Sequence, residues 1–176
     1  MTPKETISIL GIKVSTLSRQ EIFKRIDNFF KKRKNNFLTT PNPEIVLSAQ
    51  NHEEYFYILN QSSLSIADGI GLKFAALLIG KKITRITGVA ITRYLLKKAE
   101  SEKLKVLIIN WNDSLTSKEK LKLFLERKYP DLDFAIISIN REEFNRQKKF
   151  LDLDNYLKKI KEENLDIIFN CLGAFY

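Results

Sequence analysis

Thr40 and Asn42 flank Pro41 at the end of the run Phe37-Leu38-Thr39-Thr40, Asp68 and Gly69 end the run Leu64-Ser65-Ile66-Ala67, and Arg85 lies in a loop that reaches Gly88. In a parallel α/β sheet, loops and helix N-termini converge on a ligand at the carboxyl ends of strands. A carboxylate emerging there beside a hydroxyl and an amide is what a general base acting on a sugar hydroxyl needs. An arginine in a loop with Gly88 can meet a phosphate. Each piece also has a structural reading. Asn42 can cap a helix whose first residue is Pro43, with Glu44 in its first turn, and Asp68-Gly69 can be a turn plus a helix cap. What lifts the group above caps is coincidence, because the polar groups emerge at successive strand ends on the ligand-binding edge.

The elements that must position these residues follow from periodicity and punctuation. Ile7 to Leu10 and Ile12 to Ser15, separated by Gly11, read as a small N-terminal hairpin. Ser18 with Glu21 makes a capping box ahead of Ile22, Phe23, Ile26, Phe29 and Phe30 at helical spacing. Phe37 to Thr40 is a short strand, helical segments run from Pro43 to about Leu59, and Leu64 to Ala67 is a second strand. Helices follow from about Gly71 to Ile79 and from Gly88 through Tyr94 and Leu95. The second half alternates strands at Val106–Ile109, Phe134–Ile139 and Asp166–Cys171 with helices at Ser117–Lys128 and Leu151–Asn164. Nearly all-apolar strands alternating with helices predict an α/β fold, with a mainly parallel sheet flanked by helices.

Composition narrows the function classes. The chain has 176 residues, and 30 Lys and Arg against 21 Asp and Glu give a formal charge of +9. A folded chain of this size buries about 70% of its surface, enough for one sizeable core. The surplus of positive charge favours nucleic acid, anionic lipid or a phosphorylated substrate, or is a solvated surface. One Cys and one His exclude an internal disulfide and a zinc site built from Cys and His. The first residues lack the basic-then-apolar pattern of a secretory leader, and no apolar run approaches the ~20 residues that span a bilayer, so a cytoplasmic chain is expected.

The order and wording of four segments resemble a family. Ile9-Leu10-Gly11-Ile12-Lys13-Val14, Thr40-Pro41-Asn42-Pro43-Glu44-Ile45-Val46, Ala67-Asp68-Gly69-Ile70-Gly71 and Arg85-Ile86-Thr87-Gly88 look like the WecG/TagA/CpsF glycosyltransferases. Thr-Pro-Asn, Asp-Gly-x-Gly and Arg-x-x-Gly are individually weak but specific in this order and spacing. The resemblance is strongest from Ile7 to Leu96 and topological from Lys105 to Gly173.

The resemblance implies a single Rossmann-like glycosyltransferase domain over residues 1–176. It implies inverting, metal-independent and cofactor-free transfer of an N-acetylmannosamine-type sugar. The donor is a UDP-sugar and the acceptor a polyprenyl-diphosphate-linked glycan of bacterial cell-surface polysaccharide or teichoic acid biosynthesis. The implied location is peripheral, at the inner face of the cell membrane. Asp68 and Thr40 are the implied catalytic residues, Asp68 as the base, and Asn42, Gly69, Arg85 and Gly88 the implied substrate-binding ones. Two departures stand out. Asn110-Trp111-Asn112-Asp113-Ser114 replaces a glycine-rich turn, and Phe175-Tyr176 replaces the Pro-Lys-Gln-Glu that follows Leu172-Gly173-Ala174 in the family. A chain stopping there is expected to lack the family's C-terminal portion, including a basic membrane appendage, and to bury its uncovered strand in a homo-oligomer.

Other constellations are weaker. Asp152 and Asp154 mimic a metal-binding Asp-x-Asp but fall at a helix start, where acidic residues suit the dipole. Trp111 reads as packing ahead of stacking on a ligand, His52 as a helix-surface residue and Cys171 as a small buried hydrophobe. Two other readings stay open: a nucleotide-sugar-binding relative with weak or no catalysis, and a nucleic-acid-binding module. Against the latter, basic residues are interspersed with acids and no nucleic-acid motif occurs.

Overall fold

The chain enters through a hairpin in which β1 (Thr6–Ile9) and β2 (Ile12–Ser15) pair antiparallel, Ile9 opposite Ile12, around a Leu10-Gly11 turn. The computed structural model describes residues 5–31, 35–140 and 164–173. Along β2, buried Ile12 and Val14 alternate with exposed Lys13, the period-two pattern of a strand with one face on a core. Helix α1 (Arg19–Lys31) starts with the expected capping box: the Ser18 N–H donates to Glu21 Oε2 at 2.8 Å, and the Glu21 N–H donates to Ser18 Oγ at 3.4 Å. Hydrogen bonding to the Ser18 side chain and then to its backbone holds the Glu21 carboxyl below its ordinary range. The helix buries Ile22 and Ile26, four residues apart on one face.

Two very short strands, β3 (Leu38–Thr39) and β4 (Leu64–Ser65), pair in parallel. Backbone bonds carry the pairing further than the strands. The Ile66 N–H donates to Thr39 O at 2.9 Å, the Asp68 N–H to Pro41 O at 2.8 Å and the Ile86 N–H to Ala67 O at 3.1 Å, with Ala67 and Arg85 in a parallel bridge. The segments around Thr40, Asp68 and Arg85 are thereby tied side by side through their main chains.

Helices α2 (Pro43–Ala49), α3 (Glu53–Asn60), α4 (Ile70–Leu78) and α5 (Gly88–Glu102) follow these strand ends. Two helices fill the stretch of helical segments expected as far as Leu59: the Gln50 and His52 N–H groups turn back to Leu47 O and Ala49 O and end α2 before α3 begins. His52 stands exposed at the N-cap of α3. Ile9, Ile12 and Val14 of the hairpin, Val46 and Ala49 of α2, Leu59 of α3, Leu72 and Ala76 of α4, and Ala67 and Ile83 form one core. A fully buried Ile, Leu or Val contributes about 1.5–3 kcal/mol, so this cluster is what fixes the strand ends in place.

Described residues up to Ile91 make one compact unit and those from Thr92 a second. In the second, β5 (Val106–Trp111) lies between β6 (Phe134–Ile139) and β7 (Ile167–Asn170), all parallel. Helix α6 (Lys118–Lys128) is capped by Ser117 Oγ, which accepts the Lys120 N–H at 3.4 Å. Strand β5 runs two residues past its expected end at Ile109, since Asn110 and Trp111 pair with Ser138 and Ile139. Buried Asn110 is satisfied there: its Nδ2 donates to Ser114 Oγ at 3.3 Å and its Oδ1 accepts from Ser138 Oγ at 2.8 Å. Trp111 is a buried packing residue whose Nε1–H donates to Leu172 O at 2.8 Å.

The fold is α/β as expected, with parallel ladders, alternating helices and a small N-terminal hairpin. Cys171 is exposed, not buried: its N–H still donates to Ile109 O at 2.8 Å, but among the described residues β7 pairs with β5 alone. Asp152 and Asp154 lie outside the described residues, as does nearly all of the helix expected over Leu151–Asn164.

Candidate active site

Asp68 leaves the end of the β4 segment half-buried, with its main chain fixed by the bond to Pro41 O. Its side chain turns to the start of α5, where Oδ2 accepts the Gly88 N–H at 2.9 Å. The first amides of a helix have no partner inside it and carry the positive end of its dipole, so a carboxylate placed there is both satisfied and oriented. Thr87 completes the cap, its Oγ1 accepting the Ala90 N–H at 3.2 Å. Among the described residues Oδ1 of Asp68 accepts no hydrogen bond, so one carboxylate oxygen is anchored while the other is available.

Thr40 approaches the same point. A Cβ built on Gly88 would lie 3.1 Å from Thr40 Oγ1 and 3.6 Å from Asp68 Oδ2, so hydroxyl and carboxylate converge over a bare Cα. The Thr40 hydroxyl makes no hydrogen bond among the described residues and can serve a ligand. Hydroxyl, ionisable oxygen and helix N-terminus together suit a sugar hydroxyl that must give up a proton.

The other expected site residues are placed differently. Asn42 is the N-cap of α2, its Oδ1 accepting the Ile45 N–H at 2.8 Å, which leaves its amide nitrogen for a ligand. Gly69 is the N-cap of α4 with φ 102° and ψ 148°, and a Cβ there would meet Pro43 Cδ at 3.2 Å. Arg85 is joined to Ala67 through its backbone, with its side chain exposed. The structure thus gathers Thr40, Asp68 and Gly88 at one point, sets Gly69 against Asn42 and Pro43, and links Arg85 by the main chain. What the sequence did not reveal is that Gly88 acts through its N–H on Asp68. The available signal was its place as the first residue of a helix.

The sequence profile of the Glycosyl transferase WecG/TagA/CpsF family matches residues 7–175. The chain belongs to that family. Relatives in Staphylococcus aureus strains NCTC 8325 / PS 47 and COL are 28% identical over 172 residues, which cover 95% of this chain and 63% of theirs. The strain MRSA252 relative is 27% identical over the same length. Each is an N-acetylglucosaminyldiphosphoundecaprenol N-acetyl-beta-D-mannosaminyltransferase. This WecG/TagA/CpsF chain therefore spans just under two thirds of the length of these curated relatives.

In this family member Gly88→Ala separates positioning from folding. Gly88 is the first residue of α5, where the propensity gain of alanine is small, so stability should stay within about 1 kcal/mol of wild type. The alanine methyl must displace the Thr40 hydroxyl by a few tenths of an ångström, and turnover should fall about tenfold with the melting temperature little changed. Activity retained in a folded variant would show that the close approach of Thr40 and Asp68 is irrelevant to function.

Proposed function

We propose that this protein transfers an N-acetylmannosamine-type sugar from a UDP donor to a hydroxyl of a polyprenyl-diphosphate-linked sugar in cell-wall polymer synthesis, working at the inner face of the membrane. The observation that carries this reading is the convergence of the Asp68 carboxylate and the Thr40 hydroxyl over Gly88, in a chain of a glycosyltransferase family. The names of the relatives supply the sugar and the lipid-linked acceptor.

In the proposed step the acceptor oxygen attacks the anomeric carbon. Its proton passes to Oδ1 of Asp68, the new glycosidic bond forms, and the bond to UDP breaks with its electron pair leaving on the diphosphate. Thr40 holds the incoming sugar by hydrogen bonding, and the Gly88 N–H keeps the carboxylate aimed. Inversion in one displacement is part of the proposal: it is the course that would turn an α-linked UDP-sugar into the β linkage named for the relatives. Charge on the departing diphosphate must be met by a divalent cation or by fixed cationic and N–H donors. Arg85 and the helix N-termini at the strand ends are donors of the second kind, so the reading includes metal independence.

Calorimetric titration with UDP and a panel of UDP-sugars tests the donor class, with UDP-N-acetylmannosamine expected to bind. Transfer should persist in excess chelator and should not rise with Mg²⁺ or Mn²⁺. Activity lost in chelator and restored by Mn²⁺ would overturn the fixed-donor mechanism. A product of retained anomeric configuration in the NMR spectrum would overturn the single displacement.

A further inference from the structure

Helix α4 faces the wrong way for a helix in water. Leu72 and Ala76 are its buried residues, while Ile70, Phe74, Leu77 and Leu78 are 55, 60, 60 and 88% exposed. At 100° per residue these four, spaced i, i+4, i+7 and i+8, form one continuous outward arc, with exposed Lys73 at its edge. Exposed Ile79 extends the apolar surface past the helix end, and exposed Lys81 and Lys82 follow at once. The larger apolar side chains thus point outward, a contiguous patch of the kind that marks an interaction surface.

The charge around the patch selects the partner. From Gly69 to Ala99 the sequence has no Asp or Glu, and Lys73, Lys81 and Lys82 make no ion pair among the described residues. We infer that the outward face of α4 docks on an anionic lipid bilayer, its four apolar side chains entering the acyl boundary and its lysines reaching the headgroups. Apolar arcs rimmed by lysine bind membranes in this way, the lysine stems lying along the apolar surface while their ammonium groups stay in the headgroup layer. A second copy is disfavoured, since it would bring the same basic segment without an acid to face the lysines. Helix α4 starts two residues after Asp68, so docking it brings the proposed base to the layer where a lipid diphosphate lies. The inference rests on the membrane placement proposed above and names the surface that achieves it.

Co-sedimentation with vesicles of phosphatidylglycerol and phosphatidylcholine, against pure phosphatidylcholine, tests it. The protein should bind the anionic vesicles more tightly. Phe74→Ser with Leu78→Ser should weaken that binding at least about tenfold, and Lys81→Ser with Lys82→Ser about tenfold, with a reduced dependence on salt. Circular dichroism should show both pairs folded, as expected for exposed positions. Failure of the wild type to bind, or equal binding by both variants, would overturn the inference. So would a wild-type dimer that the Phe74/Leu78 pair converts to monomer without changing vesicle binding, which would assign the face to a second copy. None of these readouts involves transfer. An inactive protein that docks through α4 would therefore count against the proposed reaction alone, and an active one indifferent to α4 against the docking surface alone.

Discussion

Asp68→Asn is expected to lower transfer by on the order of 10²- to 10⁴-fold while donor affinity stays within a few fold of wild type. The substitution is nearly isosteric. Its amide oxygen can still accept the Gly88 N–H that Oδ2 accepts at 2.9 Å, so the half-buried side chain keeps its anchor and the fold its melting temperature. What disappears is the oxygen able to take a proton from the acceptor hydroxyl. A fall in kcat with the UDP-sugar dissociation constant preserved separates that loss from a loss of binding. Near-normal turnover would remove Asp68 from the mechanism.

Gly69→Ala is expected to be among the most destabilising single substitutions in the first unit. At φ 102° and ψ 148° the residue occupies a region that side chains avoid, at a cost on the order of 1–3 kcal/mol. The new Cβ would also press on the Pro43 ring at 3.2 Å, at the N-terminus of α2. Together these effects should destabilise by about 3 kcal/mol, lowering the melting temperature by about 6–12 °C. Backbone displaced here also moves Asp68, so turnover should fall with stability. Unchanged thermal denaturation combined with weakened donor binding would give Gly69 the substrate contact expected from the sequence instead of a backbone role.

Helix starts were legible because caps are local chemistry. Ser18 with Glu21, Asn42 with Pro43, and Ser117 each state in three or four residues where the helix must begin, and each forms the bond its sequence implies. Contacts between distant segments were not. Gly88 and Asp68 are 20 residues apart, and no local pattern says that the amide of one will hold the carboxylate of the other. Asn110 looked like the first residue of a turn because a polar side chain inside an apolar strand is costly until something satisfies it. Ser138, opposite it on β6, does so. In α4 the apolar residues occupy nearly every position, so periodicity could not tell the inner face from the outer. Only packing reveals that Leu72 and Ala76 are inside and Phe74 and Leu78 outside.

Whether the Thr40, Asp68 and Gly88 cluster performs sugar transfer is decided by measuring transfer itself. Labelled UDP-N-acetylmannosamine and a short-chain polyprenyl-diphosphate-linked N-acetylglucosamine would be incubated with the wild type and with Asp68→Asn, and the lipid-linked product separated and counted. A labelled lipid-linked disaccharide is expected from the wild type, formed at least about 100-fold more slowly by the variant. No lipid-linked product from a wild type that still binds the donor, or equal rates from the two proteins, would contradict that role for the cluster.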